Sequence, residues 1–130
     1  MGDHPNVTAA RRAYEAFSTG DVEALRGLWA DDIVFHVKGV LDLDGDYIGH
    51  DAVFGFFARL AQATGGSFRL DVHAIVADDE HAVTLLHQYA DREGRTFRGA
   101  SRPRRHMRDG KTCEFSSATT DRVAAMAFWT

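Results

Sequence analysis

Gly65-Gly66-Ser67-Phe68-Arg69-Leu70-Asp71-Val72-His73 is the stretch at which the chain changes period. Phe68, Leu70 and Val72 alternate with Arg69, Asp71 and His73, and a spacing of two puts the apolar side chains on one face of a strand. After an acidic turn at Asp78-Asp79-Glu80 the same period returns, with Val83, Leu85, His87 and Tyr89 alternating with Thr84, Leu86 and Gln88. Glu93-Gly94 and Asp109-Gly110 are hairpin turns bounding a strand from Thr96 to Arg108, and Lys111 to Thr119 forms the last strand. Upstream of Gly65 the spacing is helical. Val53, Phe56, Phe57, Leu60 and Ala61 share one face of a helix capped by Asp51 and stopped by Gly65-Gly66. Earlier still, Val7, Ala10, Tyr14 and Phe17 mark a helix between an Asn6 cap and a Thr19-Gly20 stop. Asp21 caps a shorter one through Val22, Leu25, Leu28 and Trp29, ended by Ala30-Asp31-Asp32. Ile33 to Lys38 is β-branched and aromatic enough for a strand, and a loop through Gly39, Gly45 and Gly49 follows it. Asp121 caps a closing helix with Val123, Met126 and Phe128-Trp129. The order, two helices, a strand, a helix and then antiparallel strands, predicts an α+β architecture with helices on one face of a curved sheet.

Size and composition agree with one such unit. The 130 residues are 45% apolar and 26% charged with only two prolines, a globular composition in a chain long enough for one core over residues 1–130. The longest apolar run, Ala52 to Ala58, falls far short of the roughly 18 to 20 residues that span a bilayer, so no membrane partner is expected. Met1 to Asn6 lacks a basic and apolar leader pattern, and the lone Cys113 cannot form an intrachain bridge; both point to the cytoplasm.

The formal net charge of −4 argues against general nucleic-acid affinity. Within residues 92–111, however, eight basic residues face two acids, which makes that span +6 and leaves −10 for the rest. Such a span is either a solvated strand face balancing an acidic body or an anion-binding surface; a nucleic-acid surface is the weakest reading.

The string Ala13-Tyr14-Glu15-Ala16-Phe17-Ser18-Thr19-Gly20-Asp21, then Leu25, Trp29-Ala30-Asp31-Asp32-Ile33-Val34-Phe35-His36-Val37 and Gly39, resembles the opening of SnoaL-like proteins in the nuclear transport factor 2-like superfamily. Gly45 to Val53 resembles that family's loop and third helix, and Asp109-Gly110-Lys111, Thr119-Thr120-Asp121 and Phe128-Trp129 its final hairpin and tail. The resemblance implies a cone-shaped fold in which N-terminal helices pack on a strongly curved, mostly antiparallel sheet. It also implies an apolar pocket between them and, commonly, a homodimer. It does not fix an activity, because isomerases, polyketide cyclases, dehydratases, epoxide hydrolases and non-catalytic binders share the scaffold.

Carried over one residue at a time, the family's catalytic groups are mostly missing. The general-base Asp of its steroid isomerases falls at about Val37 and their oxyanion-hole Asp near Pro103, while Tyr14 lies about one residue from the matching tyrosine, opposite Ala13. Valine and proline exchange no proton, so steroid isomerisation is not implied. His73, in His73-Ala74-Ile75, resembles the active histidine of scytalone-type dehydratases. The water-activating Asp-Arg-Asp relay of limonene-type epoxide hydrolases has no match. Asp121 is the carboxylate nearest to a cyclase general base, although helix capping also explains it.

Periodicity supplies candidates independent of the family. If Val83 and Leu85 face the core, His87 and Tyr89 face it too, either as an acid-base couple in a pocket or as amphipathic core residues with locally satisfied tips. His36 is ambiguous within its strand. His73 alternates with Arg69 and Asp71, which favours an exposed or interface position. Tyr14, Phe17, Trp29, Phe54, Phe57 and Phe115 are core aromatics or walls for an apolar ligand. Arg105 shares a face with Met107 and needs a carboxylate, an anionic ligand or solvent. Pro103, without an amide donor, fits an edge or a bulge.

No metal or cofactor is expected. Asp42-Leu43-Asp44-Gly45-Asp46-Tyr47 starts like a calcium loop, but its glycine is fourth instead of sixth and its twelfth position is Val53. Walker, dinucleotide and nucleophile-elbow motifs are missing. Two functions remain open. One is a cofactor-independent isomerase, cyclase or dehydratase working by acid-base chemistry on a small hydrophobic substrate, through His87 and Tyr89 first and His36, Tyr14 and Asp121 behind them. The other is a non-catalytic binding or accessory dimer. The expected partners are a small hydrophobic or weakly acidic molecule and a second copy, docked through a sheet face carrying Leu86 and Ile75.

Overall fold

The computed structural model describes residues 3–38, 40, 43–117 and 127–129. Helix α1, Pro5–Thr19, opens with Pro5 in its first turn and ends at Gly20, whose φ of 71° is the left-handed conformation that closes a helix without a Cβ penalty. Its cap is His4, whose Nδ1 accepts from the Asn6 amide at 3.0 Å. Asn6, expected as the cap, is buried instead. Its Nδ2 donates to the carbonyls of Asp78 and Asp79 at 2.9 and 3.1 Å and ties the helix start to a distant turn. Helix α2, Val22–Leu28, is capped as expected by Asp21, which accepts from the Ala24 amide at 3.1 Å. Helix α3, His50–Ala63, starts after Gly49 with no side-chain cap, so Asp51 lies in its first turn, where it acts on the helix dipole and pairs with Arg26 at 3.4 Å.

The strands are β1 Trp29–Val37, β2 Gly45–Ile48, β3 Arg69–Ala77, β4 His81–Arg92, β5 Arg95–Ser101, β6 Arg104–Arg108 and β7 Lys111–Ser117. Strand β1 begins at Trp29, ahead of the expected Ile33, and β2 occupies what read as loop. The strand expected from Thr96 to Arg108 is broken at Arg102-Pro103. Proline ends the ladder there, yet β5 and β6 lie along the same edge of β4, with Leu86 opposite Ser101 and Val83 opposite Arg104. The expected Asp121 cap and closing helix lie outside the described residues, apart from helical residues 127–129.

The strands form one curved, open sheet in the order β2-β1-β7-β6-β4-β3, with β5 on β4. All pairs are antiparallel except β1 with β7, which run parallel with Phe35 opposite Phe115. No helix among the described residues is long and apolar enough to cross a membrane. The helices cover one face. Val7, Ala10 and Tyr14 of α1 pack on Ile75, Ala82, Leu86 and Met107, while Val53, Phe56 and Leu60 of α3 pack on Trp29, Ile33, Phe35 and Val37.

The phase of β4 is opposite to the expected one. Ala82, Thr84, Leu86 and Ala90 are buried on the inner face, and Leu85 is 44% exposed on the outer one. The adjacent Leu85-Leu86 pair lets either phase look apolar, and the small Ala82 and Thr84 are what fits beneath a helix packed as closely as Ala10 and Ala13 allow. On β3 a bulge between Val72 and Ala74 shifts the phase, so Leu70, Val72 and Ile75 all face inward and Val76 is 62% exposed. Leu86 and Ile75 are therefore core residues, not the outer patch expected to hold a dimer.

Candidate functional site

Between the helices and the concave sheet lies a chamber of about 70 Å³. Its walls are Ala13, Tyr14 and Phe17 from α1, Leu25 from α2, Val53 and Phe57 from α3, and Trp29, Ile33, Phe35, Leu70, Leu86 and Phe115 from the sheet. The polar contributions are few: Tyr14, Gln88, Arg105 and Ser117, with Pro103 beside them. An outer groove of about 500 Å³ shares Tyr14, Phe17, Phe57 and Leu70 with the chamber and adds Arg11, Glu15, Ser18 and Arg69. The four residues that line both cavities, here called the neck, stand where the two meet.

Arg105 is inside because β6 alternates: Arg104, His106 and Arg108 point out while Arg105 and Met107 point in. Only 7% of Arg105 is exposed. Its Nη1 donates to Thr112 Oγ1 at 3.0 Å, and its guanidinium carbon lies 4.8 Å from the Tyr14 ring centroid and 4.4 Å from that of Phe115. Nε has no partner, and among the described residues no carboxylate pairs with this cation. The Tyr14 hydroxyl and Thr84 Oγ1 are likewise buried without a hydrogen bond.

Of the candidates read from sequence, Tyr14, Phe17, Trp29, Phe57, Arg105 and Phe115 come together around this chamber. Phe54 does not line it; its ring lies 5.0 Å from that of Trp29 and carries the Arg26 guanidinium on its other contact, also at 5.0 Å. His87 and Tyr89 are on the outer face of β4, so the couple expected in the pocket is not there. Asp121 lies outside the described residues. Gln88 and Ser117 escaped the sequence reading. The opposite phase of β4, Leu86 followed by Gln88, is the signal that would have found the first.

Much of the titratable chemistry is instead on the outer sheet face. His73 and His87 meet through ring nitrogens, and Tyr89 lies between the guanidinium groups of Arg69 and Arg98 at 4.7 and 5.5 Å. His36 Nδ1 pairs with Asp46 at 2.7 Å and its Nε2 with Glu114 at 3.3 Å, while Glu114 also faces His106 at 3.6 Å. The Asp46 hydrogen bond, reinforced by Glu114, raises the His36 pKa above its ordinary value. Arg108 holds the Asp32 carboxyl below the usual range. Among the described residues no three His, Cys, Asp or Glu are grouped to hold a metal ion.

The family model for SnoaL-like domains matches residues 10–115. The uncharacterized protein Rv0034 of Mycobacterium tuberculosis is 24% identical over 130 residues, covering 99% of each chain. Among solved structures, Bal32a from a soil-derived mobile gene cassette superposes with a TM-score of 0.91 at 25% identity, covering 97% of both chains. TerC, co-crystallised with polyporic acid, superposes with a TM-score of 0.85 at 24% identity, covering 97% of this chain and 98% of that one.

Proposed function

The chain belongs to the SnoaL-like domain family, and from that premise we propose that it binds a small, largely hydrophobic molecule in the cone. One observation carries the reading: a helix-covered chamber with aromatic and aliphatic walls and a few converging polar groups, the form small-molecule sites take. The co-crystallised TerC gives support from a chain of the same shape. Binding ranks above turnover because no His, Asp or Glu among the described residues lines the chamber.

A second reading, isomerisation, cyclisation or dehydration without a cofactor, is favoured by one feature. Tyr14 and Arg105 both line the chamber and each keeps a buried donor without a hydrogen bond, the kind of group that can stabilise a developing oxyanion.

Titration with N-phenyl-1-naphthylamine, an uncharged dye that brightens in apolar surroundings and is too large for the chamber alone, tests the binding reading at the neck and outer groove. Saturable one-site binding that is lost in Leu70→Trp, which fills the neck, is the expected result. Emission that never saturates, or that ignores the neck substitution, would overturn it.

A further inference from the structure

We infer that the ligand is a carboxylate whose charged head enters the chamber first and is gripped by Arg105, with its apolar body behind in the neck and outer groove. The inference rests on the binding reading above and adds the charge and orientation of the molecule.

A guanidinium taken out of water loses a large solvation energy, and buried charges normally recover it from a paired acid. Arg105 has none. The neutral Thr112 hydroxyl accepts from Nη1, and the Tyr14 and Phe115 ring centroids lie 4.8 and 4.4 Å from the guanidinium carbon. Nε belongs to the side edge of the guanidinium, the edge that grips a carboxylate through two parallel bonds, and it has no partner. Burial near nine-tenths, a hydrogen bond from Nη1 to a neutral hydroxyl and an Nε without a partner describe a cation whose charge is left for an anion supplied from outside.

Volume sets the orientation. A cavity of roughly 150 Å³ accepts a benzene ring. The chamber, at about 70 Å³, accommodates a carboxylate head but not a ring. The body is then placed past Leu70 in the groove of about 500 Å³, whose lining includes Arg11 and Glu15. Shape and charge together select an apolar acid over a neutral molecule of the same outline.

Displacement of the dye by 2-naphthoate and by 2-naphthamide tests this, because the two differ in charge and hardly in shape. At neutral pH the acid should bind about tenfold tighter or better in the unaltered protein, the range expected for hydrogen bonds to a charged group. Arg105→Met should abolish that ratio, and Arg105→Lys should keep part of it. The ligand-free Arg105→Met protein should melt no lower than the parent, because an apolar chain replaces an unpaired buried cation. Equal binding of acid and amide by the unaltered protein would overturn the charge inference and leave the pocket reading standing. Failure of both compounds and the dye would overturn both. Undiminished naphthoate preference in Arg105→Met, or collapse of both Arg105 variants, would show that the arginine does not serve a ligand.

Discussion

Thr84 and Thr112 both face the inside of the sheet, and their hydroxyls have opposite fates. Thr112 accepts from Arg105 and lies 3.7 Å from Met107 Sδ, whereas Thr84, wholly buried, has an unpartnered Oγ1. Replacing an unpaired buried hydroxyl by a methyl of the same shape removes a desolvation cost. Thr84→Val should therefore gain about 1 kcal/mol, read as a melting temperature higher by roughly 4 °C, whereas Thr112→Val should lose about 1 kcal/mol or more. His36 gives a pH-dependent case. Its raised pKa means that protonation favours the folded state, so its pairing with Asp46 and Glu114 stabilises fully below the ordinary histidine value, 6.5, provided the carboxylates are ionised, and fades as pH rises through the higher folded value. The gap in denaturation midpoint between the parent and Asp46→Asn should be widest near pH 6 and shrink toward pH 8.5; a gap that grows would reverse the assignment. Residue by residue, the sequence was most readable where a side chain has one plausible environment. Tyr14, Phe17, Trp29 and Phe57 sit at helical or strand spacings that point inward, and Arg105 shares a strand face with Met107. His87 and Tyr89 were misread because two adjacent leucines leave the phase of β4 undecided, and the close approach of α1, which decides it, is a tertiary fact.

At the scale of elements, turns and stops were legible because their chemistry is local. Glu93 and Asp109 adopt φ values of 50° and 54° ahead of Gly94 and Gly110, as tight hairpins require. Strand β2 was not legible, because Gly45-Asp46-Tyr47-Ile48 has turn composition and becomes a strand only through pairing with β1. Asp31-Asp32 read as a helix end for a related reason: both are exposed inside β1, where an irregularity in the β7 register admits two successive outward residues. Strand β5 offers a test of packing within one element. The Phe97 ring folds over Gly99, where an added Cβ would meet the ring tip at 2.7 Å, and the ring is held in turn by Phe128 at 5.6 Å. Gly99→Ala should cost about 1 to 3 kcal/mol by forcing that ring off its site. An unchanged midpoint in a chemical melt would show that Phe97 moves freely.

Across the whole molecule, the basic span from 92 to 111 does not act as one surface. Arg105 faces the chamber, Arg108 is paired with Asp32, Arg98 stacks on Tyr89, and Arg92 and Arg95 reach the Phe128 carbonyl and Glu93. Short DNA and RNA should accordingly bind weakly at low salt. Submicromolar affinity that falls by orders of magnitude between 50 and 200 mM salt, and vanishes when Arg102, Arg104 and Arg105 become alanine, would reverse that expectation. The same scale holds the expectation of a homodimer. Ile48, Val76 and Leu85 are exposed large apolar residues of the outer sheet face, and a second copy is the occupant we propose for it. Sedimentation at micromolar concentration should give a dimer that Val76→Asp with Leu85→Asp dissociates; a monomeric parent would rule it out. The parallel pairing of β1 with β7 also reaches into the history of each molecule. Phe35 meets Phe115 across a sequence separation of about eighty residues, so the ladder that joins the β2-β1 pair to the rest of the sheet is a contact of high order, formed late and at a large loop-closure penalty. While a ribosome is still extending the chain, the edge of β1 facing β7 has no strand to bond. Until Lys111–Ser117 emerges, the nascent protein carries the apolar row Trp29, Ile33, Phe35 and Val37 on an open edge, which makes this interval its point of greatest vulnerability to aggregation.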